Sequence, residues 1–489
     1  MTRRARLPAG DAWRHMTVVN DQTNNLILKR QGAEREMRRK IWTNVLLSAL
    51  TLAVVGAGCS KGTAETTGTT AGGGSQEGGG KPVEILLGYY SDGKSDAKMK
   101  ELIDKFMKKH PDIKVNTQSA PYGQFYQKLD TQIAAGQAPD VWLSDGVYVM
   151  KYAERGAVKD LTEWIGKDLK KDDYYGLDFN KDAKGKYWAV PQGIQVGALF
   201  YNKDLFDKAG VAYPNENWTW EDLKKNAALL TLDAKGKKAD ESGFDPKNVN
   251  QFGLTFFSIT EGWFSVMKSY GGGVLDETAQ KSIINTPQNK QAFEWMVDGM
   301  KRGIITDPAD LKSFQSSMAV FPSGSAAMRI GIYARVLAAN EAKLNYDVTL
   351  LPKGPDGKRV SPVIANSWVV NQKSADAKAQ AAWEWIKYWA TEDDVQKEWA
   401  ALGEAIPVKK SVANSDVFLK AGEKPANRKA FLESLDFAKT LDNNAVWEEW
   451  VGKFNENAQR AFLGDAPIDA ALADADKAVQ KVLDDFYKK

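Results

Sequence analysis

Tyr187-Trp188-Ala189-Val190-Pro191-Gln192-Gly193-Ile194-Gln195-Val196-Gly197-Ala198-Leu199-Phe200-Tyr201-Asn202 reads as one extended segment. Aromatic and β-branched residues favour a pleated backbone, while Pro191, Gly193 and Gly197 argue against a helix. The stretch is far longer than a usual strand of about five or six residues. We read it as a crossing from one α/β lobe to another, and the rest of the chain is organised around it.

On the N-terminal side, strand and helix signals alternate. Val83–Tyr89 is a predicted strand and Ser95–Lys109 a predicted helix, with Met99, Leu102, Ile103 and Phe106 at helical spacing. Ile113–Gln118 is a second strand, Tyr122–Ala135 a helix ended by Gly136, and Asp140–Leu143 a third strand. This order implies a largely parallel sheet with right-handed crossovers. Ligands of such sheets sit at the carboxyl ends of the strands. Tyr90 and Asp92 stand at the first such end, and Ser144 and Asp145 at the third; these four are candidate ligand residues. Beyond the crossing, a second α/β region begins with a helix capped by Thr219, with Glu221 and Asp222 in its first turn. Strand signals return at 252–256, 326–330, 346–350 and 367–370, and the chain is almost wholly helical from Asp376 onward.

The start of the chain has a different character. Residues 1–36 are polar; Met37-Arg38-Arg39-Lys40 then leads into an apolar run, Ile41–Val55, followed by Gly56-Ala57-Gly58-Cys59. A basic head, an apolar middle and a small-residue end make a secretory signal peptide. The run is short for a membrane span of about 20 residues, which argues against the rival reading, a retained anchor. We take Met37 as the true start; a genuine long leader is the alternative. Gly-Ala-Gly-Cys resembles a bacterial lipobox, with Gly56 where leucine is usual. That resemblance implies a lipidated Cys59 at the mature N-terminus; an ordinary thiol is the alternative. Ser60–Gly80, rich in Gly and Thr, reads as a flexible tether reaching about 25 Å.

Cys59 is the only cysteine of the 489 residues, so no internal disulfide forms. Residues 1–58 carry ten Lys and Arg against four Asp and Glu, a net of +6, so the whole-chain +3 becomes −3 after cleavage. Without a basic block, nothing supports nucleic-acid binding. His15 and His110 are the only histidines, which leaves little room for histidine triads or His/Cys zinc sites; neither a metal nor a cofactor is expected. His110 reads as a solvated helix end. The positive signal is aromatic: sixteen Trp and sixteen Tyr. Such rings fill cores, but they also stack against the CH face of a pyranose whose hydroxyls meet polar side chains.

Several stretches carry a resemblance. Tyr187–Pro191, Ala198-Leu199-Phe200-Tyr201-Asn202-Lys203-Asp204-Leu205-Phe206, Ala209-Gly210 and Trp218-Thr219-Trp220-Glu221-Asp222-Leu223 resemble the signature of the family 1 extracellular solute-binding proteins, which include maltodextrin-binding proteins. Ala135-Gly136-Gln137-Ala138-Pro139-Asp140-Val141, Gly324-Ser325-Ala326-Ala327-Met328 with Gly331, and Ala401-Leu402-Gly403 with Ile406-Pro407-Val408 resemble further family pieces, in the family's order. The resemblance covers about residues 82–489. It implies a two-lobed, type II periplasmic-binding-protein-like α/β fold, with lobes 82–192 plus 365–405 and 195–362 plus 410–489 hinged around a ligand cleft.

The same resemblance implies further site residues: Gln195 after the proline; Tyr333 as a stacking platform, with Arg335 beside it; Trp263 ahead of Tyr270-Gly271-Gly272; Asn366 and Trp368 at a strand entry; and Trp447 late in the chain. Tyr333 and Trp368 are expected on opposite sides of the cleft. Trp383, Trp385, Trp389 and Trp399 are expected in the core. The function implied is a monomeric, lipid-anchored substrate-binding lipoprotein on the outer face of the cytoplasmic membrane. It would hand a carbohydrate to ABC transporter permease subunits and not act as an enzyme. The alternatives are a secreted carbohydrate-active enzyme and a sugar-binding subunit feeding a sensor.

Overall fold

The structure, a computed structural model, describes residues 81–488 apart from 257, 258 and 315. The leader, Cys59 and the tether lie outside the described residues. The elements expected ahead of the crossing are all present. Strands β1 (Val83–Tyr90), β2 (Ile113–Ala120) and β3 (Val141–Ser144) lie parallel, with β1 between the other two. The helix Asp96–Lys109 packs Met99, Leu102, Ile103 and Phe106 inward, the four residues its periodicity selects. His110 ends that helix and also stacks on Phe106, ring centres 4.6 Å apart. The helix Tyr122–Ala135 stops at Gly136, which adopts φ +71°, a conformation glycine takes without steric cost.

The crossing folds as β4 (Val190–Asn202), thirteen residues all buried. The remaining strands are β5 (Leu232–Asp233), β6 (Val249–Thr255), β7 (Ala326–Ile332), β8 (Tyr346–Thr349), β9 (Ser361–Val370) and β10 (Ala438–Thr440). The strand order is β2-β1-β3-β9-β4-β7-β6-β5, with β8 also on β4 and β10 on β9. The first half of β4, Val190–Val196, pairs antiparallel with β9; its second half pairs with β7 and β8. One strand thus belongs to two sheets, and β9 runs back beside it to reach β3. This is how a single extended run makes the link between two lobes.

The residues that interrupt β4 have local causes. Pro191 lacks an N–H, and the register shifts between it and Gly193. A Cβ on Gly193 would stand 2.5 Å from the Cβ of Ala405, and one on Gly197 2.5 Å from Pro362. Both glycines therefore leave room for a neighbouring side chain, the Ala405 methyl and the Pro362 ring, to pack on the strand.

Two large cores flank the crossing. In one, Trp383, Trp385 and Trp389 of the helix Asp376–Thr391 pack under the sheet, as expected. In the other, the helices Trp447–Phe462 and Ile468–Tyr487 pack against Pro287–Lys301. Thr219 caps Trp220–Leu230 in a reciprocal box with Asp222. It is not the first helix of the second region, because Lys203–Ala209, capped by Asn202, precedes it.

Candidate functional site

The end of β1 and the start of the helix after β2 bring four tyrosines together. Tyr90 meets Tyr122 edge-on at 5.1 Å, Tyr122 meets Tyr126 at 5.0 Å, and Tyr126 meets Tyr148 at 4.2 Å. Asp145 organises the group. Its carboxylate caps the helix Gly146–Glu154 by accepting from the Val147 N–H at 3.1 Å, and it accepts from the Tyr122 hydroxyl at 3.1 Å. Its own N–H donates to the Tyr126 hydroxyl at 2.6 Å. Burial pushes the Asp145 carboxyl above its usual range, while the bonds from Val147 and Tyr122 pull the other way. Ser144 is fully buried and donates to the Asp145 carbonyl at 3.1 Å, so it positions the turn. Tyr122 is 44 % exposed, an aromatic face held open to solvent by a fixed frame.

Tyr90 and Tyr122 form one wall of a cavity of about 250 Å³. Its other walls include Asp92, Asn366, Gln192, Trp399 and Glu404. Gln192 and Trp399 are only 3 % and 8 % exposed, yet Nε2 of Gln192 and Nε1 of Trp399 have no hydrogen-bond partner among the described residues. Unpartnered indoles also occur in the dry core, at Trp142, Trp368 and Trp385. Gln192 and Trp399 differ in lining a cavity. The Glu404 carboxyl is raised by burial and then by the negative charge of Asp92.

The sequence-predicted residues divide sharply. Tyr90, Asp92 and Asn366 line the cavity, and Asp145 and Ser144 frame its tyrosine wall. Gln195 sits beside it as a strut. Its Nε2 donates to the Glu404 carbonyl at 2.7 Å and its Oε1 accepts from the Ala334 N–H at 2.8 Å, which uses the amide on backbone. The expected aromatic platforms lie elsewhere. Trp368 is fully buried between Trp385 and Trp389, centres 5.6 and 5.5 Å away. Tyr333 is fully buried against Phe418 and Phe431, its hydroxyl accepting from Arg428 at 3.1 Å. The two do not face each other across a cleft; both belong to one core. Trp263 packs on Phe462 at 4.9 Å and Trp447 on Trp450 at 4.8 Å, both buried in the other core. Arg335 is committed to Glu261 at 2.9 Å. Large rings at these positions gain more from burial than from a solvent-facing surface.

Four wall residues escaped sequence reasoning, each with a signal. Gln192 is a polar residue inside the same apolar run as Gln195. Tyr122 follows the end of β2, a strand end passed over although the first and third were used. Glu404 lies inside the late Gly403–Ile406 turn. Trp399, assigned to the core by its helical spacing, turns an edge into the cavity.

A family model of the bacterial extracellular solute-binding proteins matches residues 90–396. The chain belongs to that family. Among similar solute-binding proteins, a galactooligosaccharide-binding protein of Bacillus subtilis is 25% identical over 381 residues, 75% of this chain and 82% of that one. An ABC substrate-binding protein of Listeria monocytogenes, solved in complex with cycloalternan, is 26% identical with a TM-score of 0.71, covering 82% of this chain and 99% of its own. A cyclic α-maltosyl-1,6-maltose binding protein of Arthrobacter globiformis shares the fold at 22% identity and a TM-score of 0.69, covering 83% and 100%. The fold is thus the two-lobed α/β fold of these binding proteins. Among the described residues no helix is long and apolar enough to cross a membrane, and no group of three His, Cys, Asp or Glu is placed to hold a metal ion.

Proposed function

We propose that this solute-binding protein captures a sugar or oligosaccharide in the Tyr90–Tyr122–Glu404 cavity and delivers it to an ABC importer without turnover. The observation that carries this reading is the polar complementarity of one cavity. The amides of Gln192 and Asn366, each able to donate and accept, share its walls with two carboxylate acceptors, Asp92 and Glu404, beside aromatic faces. A sugar hydroxyl both donates and accepts, and a pyranose offers several around an apolar CH face. Saccharide names recur among the relatives, including galactooligosaccharide- and arabinooligosaccharide-binding proteins of Bacillus subtilis. The lobes, 82–192 with 365–405 and 195–362 with 410–489, would close about β4, the ligand drawing them together through contacts made better in the closed form.

Calorimetry against a panel of oligosaccharides is expected to give a binding heat with no cleavage products. Tyr122→Ala should weaken the best ligand by about 1–3 kcal/mol, the scale of losing an aromatic contact, with a smaller change in the ligand-free unfolding midpoint than a fully buried ring would give, because Tyr122 is 44 % exposed. Absence of binding across the panel, or reproducible hydrolysis, would overturn the reading.

The same reading puts the protein on the outer face of the cytoplasmic membrane, held by a lipid on Cys59. Mass spectrometry of protein extracted from membranes should find a diacylglyceryl group on an N-terminal Cys59. Recovery of Ile41–Val55 in the mature chain would refute the anchor.

A further inference from the structure

The charged side chains that line the cavity are both acidic. Asp92 and Glu404 line it, and Asp145 stands behind the Tyr122 hydroxyl that forms its wall. The cations nearby are paired elsewhere, although the Lys94 charge still acts on Glu404 and pulls its carboxyl down. Lys94 reaches away to Glu341 at 3.0 Å, Lys151 is held by Asp130 at 2.9 Å and Glu448 at 2.5 Å, and Arg335 is bonded to Glu261. Among the described residues the Glu404 side chain has no hydrogen-bond or ion-pair partner, and Asp92 accepts only the Lys94 N–H at 3.1 Å.

A partly buried carboxylate without a partner is costly unless something positive or donating meets it. An ammonium donates to carboxylates through short, charge-assisted bonds and is attracted to the faces of tyrosine and tryptophan rings. Tyr90, Tyr122 and Trp399 supply such rings in the same walls. The same walls carry the amides of Gln192 and Asn366, so a ligand that brings hydroxyls as well as a cation matches them better than a bare cation. A polyhydroxylated ring bearing an amine supplies both.

Building on the sugar-binding reading, we propose that this cavity selects an amino sugar, a hexosamine unit whose ammonium lies between Glu404 and Asp92, and that it rejects uronic acids and sugar phosphates. Rejection follows from the same charges, because an anionic sugar would meet Asp92 and Glu404 and, among the described residues, no lysine or arginine in the cavity walls.

The test is calorimetry on the purified full chain near neutral pH with matched saccharides: each neutral member of the panel, its 2-amino-2-deoxy counterpart, the N-acetylated form of that counterpart, and the matching uronate. The amine is expected to bind about tenfold or more tighter than its neutral and N-acetylated partners, the gap between a charged and a neutral hydrogen bond. The uronate should give no heat. In Glu404→Gln the ratio of amine to neutral affinity should fall towards one, and in Asp92→Asn/Glu404→Gln it should reach one, with the unfolding midpoint reporting that each variant is folded. Neutral sugars binding as tightly as the amines, or a preference that survives the double substitution, would overturn the amino-sugar proposal while leaving the sugar-binding reading intact. No binding by any member would remove both.

Discussion

Replacing Trp368 with alanine is expected to cost the ligand-free protein about 3–5 kcal/mol of stability, the range for a large aromatic removed from a packed core. The indole is fully buried on β9, where it pairs in register with Leu143 of β3 and Val190 of β4 and packs on Trp385 and Trp389. Its loss opens a void beneath the two strands that connect the sheets. Chemical denaturation would read the loss as a lower midpoint. Protein that remains folded should still bind its ligand, since the ring does not line the cavity. A Trp368→Ala variant as stable as the parent but unable to bind would return the residue to the ligand site.

A second large effect is expected at Glu261. Its side chain is 3 % exposed and sits between Arg329 at 3.1 Å and Arg335 at 2.9 Å. Burial pushes the carboxyl up, but the two guanidiniums outweigh that and hold it below its usual range. Glu261→Gln leaves two arginines facing a neutral group in a poorly solvated place and should destabilise by about 3–5 kcal/mol at neutral pH. The pH dependence has a definite sign. A carboxyl whose pKa is lower folded than unfolded contributes its stability above the unfolded value, near 4.3, and loses it as pH falls through the folded value. The deficit of the variant should therefore be fullest at neutral pH and shrink in acid. A deficit that is small at pH 7, or constant down to acid pH, would show that the pair contributes little.

The fold was legible where local pattern and global architecture agree. Met99, Leu102, Ile103 and Phe106 could be chosen from spacing alone because the helix has one buried face. The crossing could be read because thirteen residues buried on both faces leave an almost unbroken apolar run. The candidate site was legible only in part. Strand ends point to loops, so Tyr90, Asp92 and Asp145 were reachable. Position within a family motif says nothing about which way a ring points, and Tyr333, Trp368, Trp263 and Trp447 all turned inward. Trp399 erred the other way: helical spacing marked it as core, and it is largely buried, but one edge reaches the cavity. Glu404 acquires its meaning from Asp92, Gln192 and Gln195, which lie far from it in sequence and meet it only after the sheets have formed.

The place of β9 between β3 and β4 also sets a timetable. Leu143 waits for Trp368 and Val141 for Val370, so the sheet beneath the tyrosine cluster stays open until Ser361–Val370 has been synthesised. Pairings between strands so distant in the chain form slowly, because the intervening loop must be closed before any contact rewards it.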